Sequence, residues 1–587
     1  MAAIAEAGRP RSALLEFLAI ELAPREGRAL AVAHIATACA LTVAIAMVFR
    51  IPEPTYMAYI VFLISKDERK GTVTTALGGQ IAVTLAIVLT LGLMMVDLSE
   101  PALRLPAMVL NTFLAMYSVR TFALGPITFL AGFVLVMLQS VVDDVPNPEA
   151  LTRLALWLWV VLFVPILITV LMNLLFGQSV VLLTQRTVRK VLREMQAALL
   201  ADDVHRYLAH WRELVVSLLS KQSGHERGSI PVAALQKLTD ALVILEAIPH
   251  GGAVEVREEL ARAVQACRDV LERKGPARGA VLEGGDGTLG RDGTPGGLTS
   301  HADRAPSVRA FEAALQAFQR EIEQPKAAAT APAHARRLLA PDAFTNPAHW
   351  QFALKTTLAV MVVYFIYTML DWSGMRTSIV TCFFVALGSV GETVHKLTLR
   401  ISGALIGGLI AGLCIVYVLP HMTDVGQLCL LVAAVSAGAA WVATSSELLS
   451  YAGLQIAFAF FLGILQGYAP ATDLTVLRDR VAGIVLGNIV MTVVFTVLWP
   501  ESALPRLQAA LKEASEAISA VLKRTGDPGE ARARTAQALV RARHFNLVRR
   551  FELRMLPRRF RTTAGEAQVG DVERSAGEAF VATYDPS

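Results

Sequence analysis

Apolar residues fall along this chain in long runs, and the runs come in two blocks with a polar stretch between them. Twelve stretches are apolar enough to be spans. Six lie in the first block, at about 29–49, 54–65, 71–96, 105–119, 123–142 and 154–176. Six more follow, at about 352–370, 377–391, 400–420, 425–444, 449–468 and 481–499. Runs of this length predict membrane helices. Two of them are short. Residues 54–65 reach only roughly 18 Å as helix, against a hydrocarbon core of about 30 Å; their counterpart, 377–391, is also short and ends in glycines. Short apolar segments at matching places in two halves point to a transporter's binding site, because helix ends at depth must face protein or water; extension by neighbouring polar residues is the alternative.

After Gly177 the pattern changes. Residues 185–222 carry apolar positions at three- and four-residue spacing, which predicts one long amphipathic helix, and further helical patterns cover 230–249, 253–273 and 307–323. Residues 275–307 are too poor in large apolar groups to offset their ordering entropy and read as a disordered linker. The fold class is therefore all-α: a polytopic membrane protein of two parallel six-helix repeats. Its segments are an N-terminus (1–27), a first membrane half (28–177), a helical domain (178–346), a second membrane half (347–500) and a basic tail (501–587).

Composition agrees with this pattern. Apolar residues make up 54% of the chain and charged residues 18%, the balance of a membrane protein. Lys and Arg collect in 65–71, in 178–350 and after Pro500, whereas 141–150 and 420–426 are acidic or neutral. The positive-inside rule then places both termini and the middle domain in the cytoplasm. Residues 1–27 show no cleaved signal, so the first span directs insertion. Ten arginines between Arg532 and Arg561 face a single acid, Glu552, and suggest a helix lying on anionic headgroups. Of the five cysteines, Cys39, Cys382, Cys414 and Cys429 lie in predicted spans and Cys267 in the polar middle, an arrangement of small buried hydrophobes rather than of disulfides.

The two halves resemble each other weakly. Residues 75–83 parallel 400–408, 133–139 parallel 460–466, and Arg153 parallels Arg478. Six spans per half make the repeat parallel, a kind that places substrate routes between its halves.

Ionisable residues inside spans are expensive and mark pathways. His34 and Lys355 are the candidates on that ground; Arg400, at the cytoplasmic end of its span, is a candidate to meet an anion at the inner mouth, and Gln455 and Asn488 are neutral contacts. Lys355 could instead snorkel to the headgroups, and Arg400 could be one more anchor at the inner face, beside Glu392, His395 and Lys396. Acids occur only at span ends; Asp371, Glu392, Glu447 and Asp479, with Arg480, are the candidates for proton coupling or gating. Gly403, Gly407, Gly408, Gly412, Gly483 and Gly487 suit close helix packing. Positive and neutral groups without a buried carboxylate favour an anionic or amphipathic aromatic cargo. For a monoanion leaving a negative interior, the membrane potential contributes about 2.3 kcal/mol per 100 mV.

No nucleotide loop, zinc spacing or nucleophile elbow is present. The glycine-rich 284–294 lacks the strand, the helix and the Gly-Lys-Ser/Thr that phosphate binding requires. The chain does not read as an enzyme and calls for no cofactor, no metal and no nucleic acid.

Residues 454–500 resemble the closing signature of the fusaric acid resistance family of bacterial inner-membrane proteins, and 341–359 with Arg400–Gly412 resemble the start of that family's second half. The resemblance implies an efflux component for aromatic carboxylic acids or other hydrophobic toxicants. It also implies a periplasmic adaptor, an outer-membrane channel and, as a further option, a homodimer. Arg400, Gly403, Gly407, Asp473, Arg480, Gly483 and Gly487 match the family pattern, without assigned roles. The rival readings are a passive, voltage-assisted organic-anion channel and a membrane scaffold that transports nothing.

Overall fold

The computed structural model describes residues 21–24, 27–65, 68–97, 101–145, 147–177, 179–221, 230–249, 253–273, 305–324, 338–386, 389–446, 449–469, 473–552 and 565–584. The protein is an all-α polytopic membrane protein. Apart from helices, the described residues hold one isolated bridge, Phe122 to Leu339. The chain divides into a membrane unit (1–179, 333–502 and 551–556) and a helical unit (180–332, 503–550 and 557–587).

The membrane unit repeats one order of helices twice. The first set is α1 (Arg28–Phe49), α2 (Pro54–Ile64), α3 (Arg69–Asp97), α4 (Pro101–Thr121), α5 (Gly125–Val141) and α6 (Pro148–Phe176). In the helical unit come α7 (Val180–Ala201), α8 (Val204–Lys221), α9 (Val232–Ile244), α10 (Val254–Arg273) and α11 (Pro306–Glu323). The second membrane set is α12 (Pro347–Met369), α13 (Thr377–Val385), α14 (Val390–Tyr417), α15 (Val425–Ala443), α16 (Ser450–Ile464) and α17 (Thr475–Val497). Eight of these membrane helices are long and apolar enough to cross a bilayer. The other four, α2, α5, α13 and α16, hold 11, 17, 9 and 15 residues. They occupy the second and fifth place in both sets, so the sequence pattern located two of four short helices.

Local chemistry sets these ends. Asn147 and Asn346, each followed by proline, cap α6 and α12 by accepting the N–H of Glu149 and Ala348 at 3.0 Å. Ser389 accepts the N–H of Glu392 at 3.2 Å and starts α14 there. That cap corrects the expected span boundaries. Glu392, His395, Lys396 and Arg400 are not a loop ahead of a span beginning at 400; they are the first turns of α14 itself.

The two sets pack reciprocally. Helix α1 lies on α15 while α12 lies on α4, and α2 meets α16 while α13 meets α5. Reciprocity of this kind is the signature of a two-fold relation between halves. Both short-helix seams are aromatic. Phe129 and Phe133 of α5 meet Phe384 edge-on at 5.3 and 5.1 Å; Tyr59 of α2 sits 4.2 Å from Phe458, and Phe62 is 6.1 Å from Phe461.

The helical unit is completed by α18 (Leu504–Lys523), most of α19 (Pro528–Glu552) and α20 (Gly565–Tyr584). Its core gathers Leu192, Trp211, Leu238, Phe311, Phe318 and Phe580. Two expectations are corrected here. The long helix at 185–222 is two helices, broken where Asp202 adopts a left-handed φ of 56°, a conformation Asp tolerates better than most residues. The tail arginines do not all await headgroups: Arg532 pairs with Asp240 at 3.0 Å, Arg541 with Glu513 at 2.7 Å and Arg543 with Glu573 at 2.5 Å. Charges within the same domain neutralise them. Arg554, Arg558, Arg559 and Arg561 lie outside the described residues, as does the linker 275–307 up to 304; Pro306 already belongs to α11.

Candidate functional site

Arg400 stands ten residues into α14, about 15 Å along the helix axis, and is fully buried. It is therefore no anchor at the membrane surface. Its Nε donates to Thr381 Oγ1 of α13 at 3.2 Å, and its Nη1 donates to Tyr451 Oη at 2.9 Å and Gln455 Oε1 at 3.0 Å, both on α16. No described carboxylate comes within ion-pair distance of it. Its Nη2 has no hydrogen-bond partner among the described residues. A guanidinium inside a membrane protein with only neutral partners is unusual, because a buried charge ordinarily finds a counter-charge.

The surroundings add further unmatched groups. Gly487 of α17 packs against Thr381, the residue that holds Arg400: a Cβ there would lie 2.7 Å from the threonine Cβ and 2.9 Å from Ser378 O. Asn488 is the next residue on α17. Among the described residues, both polar atoms of its buried side chain lack a hydrogen-bond partner, as do Gln455 Nε2 and Ser378 Oγ. Tyr59, from the first half, has its hydroxyl beside Gln455 and within electrostatic reach of Arg400. One turn before Arg400, Lys396 Nζ lies 4.9 Å from the Tyr451 ring centre. The cluster thus combines two cations, several unused N–H and O–H donors, and an aromatic wall of Tyr59, Tyr451 and Phe458.

Close packing makes the depth possible. A Cβ at Gly403 would sit 2.7 Å from Ala452 O, and one at Gly407 would collide with Ile456 O. These glycines let α14 and α16 approach at the distance the Arg400 to Gln455 bond requires. Gly483 likewise abuts Thr377 and Met375. Gly408 and Gly412 do not serve this purpose, because a Cβ at Gly408 would meet Leu477 only at 3.6 Å and one at Gly412 nothing within 4 Å.

The other sequence candidates are dispersed. His34 is half-buried on α1, its ring 6.2 Å from Phe176. Lys355 does not snorkel: it is buried, donating to Trp499 O at 3.1 Å and Glu501 Oε1 at 3.4 Å. Arg120 of α4 reaches the same carboxylate at 3.3 Å, so Glu501 joins a cation from each half. Asp371 is exposed in the turn after α12, and Asp479 pairs with its neighbour Arg478 at 2.9 Å. Arg480 contributes its carbonyl to Thr377 at 3.2 Å. Glu392 is partly buried in the first turn of α14, and Glu447 lies outside the described residues.

Thr381, Tyr451, Tyr59, Arg120 and Glu501 escaped the sequence reading. Tyr451 had a legible signal, since it stands four residues before Gln455 on one helix face. Glu501 had none: it follows the last apolar run and resembles any span-end acid.

The family described as fusaric acid resistance protein-like matches residues 346–494, the segment that supplies Arg400, Thr381, Tyr451, Gln455 and Asn488. The chain is similar to multidrug resistance protein MdtO of Escherichia coli O6:H1, at 28% identity over 546 residues, covering 89% of this chain and 77% of the relative. To MdtO of Escherichia coli K12 it is 27% identical over 555 residues, with the same coverage. To the protein of that name from Escherichia coli O157:H7 it is 38% identical over 183 residues, 31% of this chain and 27% of the relative. No solved structure gives a significant match. The similarity to the fusaric acid resistance protein-like family thus lies in the second membrane half.

Proposed function

We propose that the chain is an inner-membrane efflux transporter that exports aromatic carboxylates or related amphipathic anions, with Arg400 as the group that takes the anionic end of the cargo. The observation that carries this reading is the fully buried Arg400 without a carboxylate, one of its nitrogens unmatched, beside further unmatched donors on Gln455, Asn488 and Ser378. A carboxylate accepts several N–H and O–H bonds at once and supplies the missing charge. The rings of Tyr59, Tyr451 and Phe458 suit an aromatic body. The family match and the multidrug resistance relatives support export as the direction of transport.

In this reading all twelve apolar helices line or brace one route between the halves, entered from the cytoplasmic side where both termini and the helical unit lie. The membrane potential drives a monoanion outward, and a periplasmic adaptor with an outer-membrane channel would carry it onward. The test is a toxicity panel of aromatic acids in cells with and without the protein, paired with measured accumulation. Cells carrying the protein should tolerate and accumulate less of the acids, but not of their neutral amides. Equal accumulation of every acid in both strains refutes an exporter.

A further inference from the structure

We infer that Arg120 and Lys355 form a second anion-binding position, occupied in this structure by the protein's own Glu501 carboxylate, which a carboxylate cargo displaces. The inference rests on the reading of the cargo as an organic anion. It concerns residues remote in sequence from the Arg400 cluster and drawn from both halves.

The geometry has three parts. Arg120, at the end of α4, reaches Glu501 with Nη1 to Oε1 at 3.3 Å and to Oε2 at 3.4 Å, and with Nη2 to Oε2 at 3.4 Å. Lys355 of α12 reaches Oε1 at 3.4 Å. Two cations on one carboxylate leave an excess positive charge among these three groups. Charge-assisted bonds between such groups settle at about 2.7–2.9 Å when optimised; all four contacts of the two cations with this carboxylate are longer.

Each cation also has an acceptor of its own. Arg120 Nη1 donates to Ala348 O at 2.9 Å and Lys355 Nζ to Trp499 O at 3.1 Å. Departure of the Glu501 side chain therefore strands neither group, which lowers the cost of exchange. The Glu501 backbone stays in place, because its carbonyl accepts the N–H of Val390 at 2.9 Å.

Aromatic rings complete the position. The Arg120 guanidinium lies 5.1 Å from the Phe352 ring centre and the Lys355 ammonium 5.0 Å from that of Phe495, and the two rings meet edge-on at 6.2 Å. A carboxylate attached to an aromatic body finds here the same pairing of cation and ring that surrounds Arg400. The acid already seated demonstrates that the two cations accept a carboxylate.

The test uses the full chain in detergent, titrated calorimetrically with benzoate and with benzamide as the neutral control. Removing the competing charge in E501Q should tighten benzoate binding by about tenfold or more and leave benzamide unchanged. Adding R120Q and K355M to E501Q should remove that gain. The proposal is overturned if E501Q binds benzoate no more tightly than the parent chain, or if the gain survives loss of both cations. Should E501Q fail to fold, E501D withdraws the carboxylate by one methylene and must show a smaller gain of the same sign; no gain again refutes the site. The exporter reading is judged separately in cells, where equal aromatic-acid accumulation with and without the protein removes it whatever E501Q binds.

Discussion

Among the described residues two arginines are fully buried, Arg400 in the membrane unit and Arg212 on α8 of the helical unit. Neither is fully hydrogen-bonded: among the described residues Arg212 Nε and Nη1 lack partners, and so does Arg400 Nη2. Counter-charge is what separates them. Arg212 meets the carboxylate of Glu573, which also takes Arg543 through Nε at 2.5 Å and Nη2 at 2.6 Å. Burial pushes the Arg212 guanidinium below its ordinary pKa, and Glu573 beside it pushes back. Arg400 has only Thr381, Tyr451 and Gln455. A buried charge already met by an acid holds a fold together; one met by neutral groups is left to meet something else.

The largest effect expected from this contrast falls on transport. Replacing Arg400 by alanine should raise cellular accumulation of an exported aromatic acid to the level of cells lacking the protein, with the variant still present in the membrane. R400K keeps the charge but not the planar fork that spans Thr381, Tyr451 and Gln455, and should recover only part of the export. If R400A exports normally, the contrast between the two arginines is broken at its more consequential end.

For Arg212 the expected loss is of stability. R212A leaves the buried Glu573 to Arg543 alone, and breaking a buried pair of this kind costs about 3–5 kcal/mol. Thermal or denaturant unfolding of the full chain would detect it, and export per folded molecule should not change. A variant that unfolds normally but fails to export would assign Arg212 a functional role instead.

How legible these two sites were in the sequence follows from what each depends on. Membrane helices were visible as apolar runs, and the amphipathic segments near 253–273 and 307–323 became α10 and α11 almost unchanged, because periodicity alone decides such elements. Arg400 was picked out as an ionisable residue beside a span, but its depth was not legible. That depth depends on a cap at Ser389 and on α13 ending after 9 residues, both invisible to hydropathy. The neutralised arginines were illegible for a different reason. Glu573 and Asp240 lie far in sequence from Arg212 and Arg532, so the tail displayed only its excess of positive charge. Pairing across hundreds of residues is a property of the fold, and no local window contains it.

The smallest expected effect concerns a second neutralised cluster of the helical unit. Tyr584 of α20 donates its hydroxyl to Asp240 Oδ2 at 2.7 Å, while Arg532 pairs with the same carboxylate and Lys237 donates to the Tyr584 hydroxyl at 3.1 Å. Burial raises the Tyr584 pKa, and the adjacent Asp240 charge and the hydrogen bond donated to it raise it further. An unfolded phenol ionises near pH 10, so above that value the unfolded chain releases a proton that the folded chain retains. The stabilisation tied to this proton is complete below about pH 10 and is lost as pH rises toward the folded value, at a slope of at most about 1.4 kcal/mol per pH unit for one group. Y584F has no such proton. It should be less stable than the parent near pH 8, where the hydrogen bond to Asp240 is missing, and its stability should fall less steeply between pH 10 and 11. Parallel alkaline slopes for the two proteins would mean that Tyr584 ionises as readily folded as unfolded, and the counter-charged character of this cluster of the helical unit would fail.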